Sequence, residues 1–267
     1  MPGTLTEVTA TAADGTPLRS WLVLPEGGSG PAPLLLWIHG GPLGCSNAWS
    51  RRWNPWLMAA HGYAVLLRDP ALSTGYGLGF VARGWGAWGA APHTDLMALT
   101  DAAVARPDVD ADRTAAMGGS FGGYMANWVA GHTDRFTAIV TRASLWALDQ
   151  FGPITDDAGY WVREMTAAMA EDNSPHRHAD AISTPMLVIH GDRDPPRTHR
   201  GGAAAVVGPG VAPRGRPGGA PAPVPVLPDE NHWILTPSNA TVWYDTVLAF
   251  LDHHVLGKDD RIPDLLR

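Results

Sequence analysis

The sequence predicts an α/β fold: a mostly parallel sheet with helices on both faces. Three observations carry this. Apolar runs of strand length recur along the chain, helical spacings alternate with them, and glycine or proline marks the junctions. A run with no polar face suits a strand covered on both sides, and strands alternating with helices suit parallel crossover connections.

The elements follow in order. Leu18 to Leu24 alternates and ends at Pro25, as a strand near a sheet edge does. Leu34 to Ile38 is continuously apolar, and so is Tyr63 to Leu67, which Arg68-Asp69-Pro70 ends. Between them Trp53 to His61 has helical spacing and stops at Gly62. Asp95 to Arg106 gathers Leu96, Met97, Leu99, Ala103 and Val104 on one helical face. Thr114 to Met117 reads as a short buried strand running into Gly118-Gly119-Ser120, with a helical pattern from Gly122 to Ala130. Phe136 to Val140 and Met186 to Ile189 supply further strands, and Ala240 to His254 a closing helix.

Composition narrows the function. The 267 residues suffice for one large domain, and no repeat of solenoid length is visible. A formal net charge of −7 argues against nucleic acid as a partner, which would need a basic face. Lys258 is the single lysine, a bias of a GC-rich genome rather than a functional sign. Cys45 is the single cysteine, so an intrachain disulfide and a thiolate metal cluster are both excluded. The N-terminus lacks a signal-peptide pattern and the longest apolar runs are strand-sized. A cytoplasmic protein with no membrane partner and no cofactor is the expectation.

Gly118-Gly119-Ser120-Phe121-Gly122 matches G-x-S-x-G, between a strand and a helix. The pattern has a mechanical reason: the serine sits on a strained turn, and small neighbours let backbone approach it. This context points to the α/β-hydrolase fold with Ser120 as nucleophile. Serine needs a base, and the base an orienting acid; in this fold the acid precedes the histidine. The strand 186–189 runs into His190-Gly191-Asp192-Arg193-Asp194, which makes Asp194 the chosen acid and Asp192 the second choice. His232, in a polar turn before the last helix, is the candidate base. Oxyanion donors are expected from the residue after the nucleophile, Phe121, and from the loop His39-Gly40-Gly41-Pro42. Cys45 lies near that loop and reads as a small buried or half-buried thiol. His176 and His178 lack a third ligand and read as surface or hydrogen-bonding residues, not a metal pair. His253 and His254 end a helix, where positive charge suits its dipole.

Together the motifs resemble the prolyl oligopeptidase family. They are His-Gly-Gly-Pro, Ser73-Thr74-Gly75-Tyr76-Gly77, Gly-Gly-Ser-Phe-Gly-Gly-Tyr-Met, His-Gly-Asp-Arg-Asp and Pro-Asp-Glu-Asn-His-Trp, in that order. The nearest branch is that of the acylaminoacyl and dipeptidyl peptidases, and the likeness spans nearly the whole chain. It implies a serine peptidase acting on short peptides, with Ser120, Asp194 and His232 as triad and Gly41 and Phe121 as oxyanion donors. Family members usually carry a β-propeller ahead of the hydrolase domain; residues 1–267 read as the hydrolase domain without one. A carboxylesterase is the alternative, because the same machinery cleaves esters. Trp146 is a candidate for the substrate pocket, and a homodimer is the default oligomer.

One segment departs from this pattern. From Pro195 to Pro228 the chain is almost wholly Pro, Gly, Ala, Val and Arg, with no Asp, Glu, Phe, Tyr, Trp, Ile or Met. The fold needs a helix and a strand here. Shifting a back-translation of His199 to Pro209 by one nucleotide permits Ile-Gly-Glu-Ala-Leu-Arg-Leu-Trp-Trp-Asp-Leu, an amphipathic helix. The same shift turns 224–227 into Phe-Leu-Tyr, and 196–198 into Arg-Val-Pro, restoring an arginine the family places two residues after its catalytic Asp. The segment therefore reads as coding sequence out of frame, lost near Asp194 and regained near Pro228. As written, it is expected to deprive the His232 loop of its strand and to leave an impaired enzyme or a non-catalytic remnant.

Overall fold

The computed structural model describes residues 2–28, 30–47, 50, 52–155, 158–194 and 225–258. Among the described residues, eight strands form one sheet in the order β1-β2-β4-β3-β5-β6-β7-β8. They are β1 (Gly3–Thr11), β2 (Pro17–Pro25), β3 (Ala32–Ile38), β4 (Ala64–Asp69), β5 (Val109–Gly119), β6 (Ala138–Arg142), β7 (Met186–Gly191) and β8 (Val226–Leu227). The β1–β2 and β2–β4 pairings are antiparallel, and every other pairing is parallel. The helices described are α1 (Pro55–Ala60), α2 (Leu78–Ala82), α3 (Ala91–Val104), α4 (Phe121–His132), α5 (Leu148–Ile154), α6 (Ala158–Trp161), α7 (Ala167–Asp172) and α8 (Pro237–Leu256). This is the α/β-hydrolase fold.

The period of two along β3 sorts its side chains between the two cores. Leu34, Leu36 and Ile38 join Leu96 of α3 and Tyr124, Met125 and Val129 of α4 on one face. Leu35 and Trp37 join Met58 of α1 and Trp243, Val247 and Leu251 of α8 on the other. All seven residues of β3 are buried, which explains the uninterrupted apolar run.

Most element boundaries differ from the sequence reading by a few residues, and three differences are informative. β1 went unforeseen: its one buried side chain is Val8, so half of the expected alternation is absent at this outer strand. It also moves β2 one place in from the edge. Helix α1 starts at Pro55, not Trp53, because Asn54 caps it by accepting the N–H of Trp56 at 3.1 Å. β6 begins two residues after Phe136, whose burial belongs to the preceding loop.

The proposed change of reading frame falls largely on residues 195–224, outside the described residues. The expectation that the histidine loop would lose its strand is corrected. Val226 and Leu227 as written pair in parallel with His190 and Gly191, and Leu227 is buried in the second core. A β-branched residue followed by an apolar one is enough for a two-residue ladder at the sheet edge.

Candidate active site

Ser120 stands at the junction of β5 and α4 with φ 58° and ψ −124°, a conformation a non-glycine residue seldom adopts. Its neighbours explain the motif. A Cβ on Gly118 would lie 2.3 Å from the backbone of Gly122, and one on Gly122 would lie 2.2 Å from the Ile38 carbonyl oxygen. Only glycine lets β3, β5 and α4 converge here. The Ser120 N–H donates to the Arg142 carbonyl at 3.0 Å, fixing the turn to β6.

His232 Nδ1 lies 3.0 Å from Asp194 Oδ1 and 3.2 Å from Oδ2. The carboxylate accepts, so Nδ1 carries the proton and Nε2 is left able to take one. Asp194 is almost fully buried just past β7, while the His232 imidazole is 39% exposed. Asp192 is exposed, whereas Asp194 is the carboxylate within hydrogen-bond distance of His232.

Glu230 ties the histidine loop down. Its buried carboxylate accepts from the amides of Leu235 and Thr236 and from Asn239 Nδ2, each at 2.9 Å. Burial pushes its pKa up, but these donors prevail and hold it down to about 2. The Arg193 N–H donates to the Glu230 carbonyl at 2.9 Å, joining this loop to the one that bears Asp194. Arg142 adds a third tie: its Nη2 donates to the His232 carbonyl. The same residue thus touches both Ser120 and His232.

His39, Gly40 and Gly41 follow β3. Gly41 has φ 144°, and a Cβ there would lie 2.7 Å from the Leu43 amide nitrogen. His39 Nδ1 donates to the Gly40 carbonyl at 2.7 Å, and Nε2 accepts from Ser73 Oγ at 2.9 Å. Burial lowers the pKa of this imidazole, in keeping with a neutral ring that props the loop. Phe121 is the first residue of α4, so its N–H has no acceptor within the helix.

Ser120, His232 and Gly41 line one cavity of about 490 Å³. Trp37, Trp53, Trp233 and Trp243 form much of its wall, with Arg52 and Arg142 as its cations. Half-buried Cys45 also faces it. Trp146 does not: it is buried away from the cavity, and its carbonyl accepts the His176 N–H at 3.1 Å. The wall-forming tryptophans and both arginines went unforeseen, although Arg52-Trp53 stands close behind the His-Gly-Gly-Pro loop in sequence. His178 packs its ring 4.3 Å from that of His132 and 5.1 Å from Trp128, and is half-buried rather than on the surface. Among the described residues no three His, Cys, Asp or Glu side chains could hold a metal ion. No described helix is long and apolar enough to cross a membrane.

Comparison with known proteins identifies the family. The sequence pattern of the prolyl oligopeptidase family matches residues 49–258. Dipeptidyl-peptidase 5 of Porphyromonas gingivalis is 33% identical over 253 residues, covering 90% of this chain and 36% of that protein. Dipeptidyl-peptidase 5 of Aspergillus fumigatus is 32% identical over 253 residues, covering 90% and 34% respectively. The chain therefore spans about a third of the length of these relatives. Among solved structures, the Pyrococcus horikoshii acylaminoacyl peptidase superposes with a TM-score of 0.85 at 20% identity, over 100% of this chain and 44% of that one. A puromycin-hydrolysing peptidase of Mycobacterium tuberculosis gives 0.80 at 22%, over 95% and 39%. These two likenesses speak for the fold. With 210 of its residues inside the family pattern, the chain belongs to the prolyl oligopeptidase family of serine-type peptidases.

Proposed function

We propose that this chain hydrolyses short peptides through an acyl-enzyme intermediate. Ser120 Oγ attacks the scissile carbonyl while His232 Nε2 takes its proton. The proton passes to the leaving amine, and water, activated by the same imidazole, releases the acyl group. Asp194 keeps Nδ1 protonated and stabilises the imidazolium; the N–H groups of Gly41 and Phe121 receive the oxyanion. The observation that supports this most is the 3.0 Å contact between Asp194 and His232, with His232 facing the cavity that Ser120 lines.

Carboxylester hydrolysis is a second reading, favoured by the tryptophan wall, which accepts apolar acyl groups without peptide-specific contacts. One experiment addresses both. Asp194→Asn should lower kcat on an aminoacyl anilide by on the order of 10⁴-fold, because it leaves the imidazole in the wrong tautomer. Wild-type turnover of p-nitrophenyl esters with none of anilides or peptides would favour the esterase. An Asp194→Asn enzyme with wild-type kcat would contradict the assigned acid.

A further inference from the structure

Among the described residues, the cavity beside Ser120 is lined by two arginines and no acid. Arg52 and Arg142 both line it, and neither forms an ion pair with a described residue. The carboxylates whose fields act on Arg142 are committed elsewhere: Asp194 to His232, and Glu230 to Leu235, Thr236 and Asn239.

The two cations differ in character. Arg142 is 4% exposed, with Nη2 on the His232 carbonyl and with Nε and Nη1 buried without a partner. Burial lowers its pKa to about 10, so it stays charged at neutral pH. Arg52 is half-buried at the cavity. Its guanidinium lies 4.2 Å from the Trp233 ring centroid and 5.8 Å from that of Trp53, while Arg142 lies 5.0 Å from Trp53. One indole therefore meets both cations. Arg52 Nε is buried and unpartnered.

Like charges held close in an apolar-walled cavity repel, and an anion between them relieves that repulsion. Stacking on an indole occupies a guanidinium's face and leaves its N–H edge for a carboxylate. We propose that Arg52, backed by the fixed charge of Arg142, binds the carboxylate of an aspartyl or glutamyl residue on the acyl side of the substrate. The choice of the acyl side rests on the reading of Ser120 as nucleophile: the acyl part stays on Ser120 while the amine departs, so the cavity beside Ser120 serves the part that is kept.

The test reads binding without turnover. Trp53 and Trp233 stand against Arg52, so their fluorescence reports occupancy. The full chain carrying Ser120→Ala is titrated with N-acetylglutamic acid α-amide and with its neutral isostere N-acetylglutaminamide, at one ionic strength. The acid should bind about tenfold tighter or more, as charged hydrogen bonds allow. Adding Arg52→Gln should abolish that difference, and Arg52→Lys should keep part of it, with circular dichroism verifying the fold of each. Equal affinity for the two compounds, no saturable binding of either, or a preference that survives Arg52→Gln overturns the proposal. A glutamyl preference in a chain whose Ser120 reacts with no organophosphorus probe would instead leave the anion pocket standing and overturn the hydrolase reading.

Discussion

Ser120 holds a backbone conformation that costs on the order of 1–3 kcal/mol, and the glycines around it set how that cost is met. Gly122 is the tightest point, because its missing Cβ would fall 2.2 Å from the Ile38 carbonyl oxygen, a backbone atom that cannot swing aside. Gly122→Ala should therefore destabilise by about 1–3 kcal/mol or more, as overpacking of a rigid site does. A urea midpoint equal to that of the wild type would show that β3 and α4 yield more than this packing allows. At this scale the sequence was highly informative. The G-x-S-x-G pattern, the acid past a strand and the histidine before the last helix each named a residue that the fold brings to one place. Trp146 is buried but does not line the cavity of Ser120, because burial of an aromatic side chain in the sequence pattern does not reveal which cavity it borders.

At the scale of elements, His232, the proposed base, depends on a loop rather than on a regular element. Glu230 fixes that loop to the start of α8 through three donors, and Arg142 fixes it to β6. Glu230→Gln keeps the size but loses the charge and turns an N–H₂ toward donors. It should lower stability by about 1.5–3 kcal/mol and kcat by about 10- to 100-fold, with KM little changed, because a base displaced by about 1 Å loses that much. An unaltered kcat would assign positioning of His232 to Arg142 and β8 alone. Strands β3 and β5 and helix α4 were legible because uninterrupted apolar runs and flanking glycines leave few alternatives. β1 was not, since an outer strand with one buried side chain carries almost no periodic signal. Nor was the part played by β8, whose two residues, lying in a stretch of anomalous composition, are recognisable only by their pairing with β7.

For the whole molecule, two half-buried histidines away from the cavity shape the response to acid. Burial, with His132 nearby, lowers His93 to about 4 from 6.5. Burial, with His253 nearby, does the same for His254. In the unfolded chain these rings bind protons near pH 6.5, before the folded chain can, so stability falls as pH drops from about 6.5 to about 4 and is level above that window. The contribution of the Glu230 carboxylate, held down to about 2 from 4.5, is lost as pH falls from about 4.5 to about 2. The thermal midpoint should fall between pH 7.5 and 4.5, and the double variant His93→Gln, His254→Gln should flatten that fall. An unchanged slope would place the acid sensitivity elsewhere. The tryptophan wall belongs to this scale as well. Trp37, Trp53, Trp233 and Trp243 come from four separate stretches of sequence, so only the assembled fold shows that they share a cavity with Ser120.

The central claim is that Ser120, His232 and Asp194 work as one unit in the chain as written. Treating the purified protein and its Ser120→Ala variant with a fluorophosphonate probe tests it directly, since the probe reports an activated serine whatever the natural substrate. Labelling of the wild type that is absent from the variant is the expected result. No labelling of soluble, folded wild-type protein, or equal labelling of the variant, would contradict the claim.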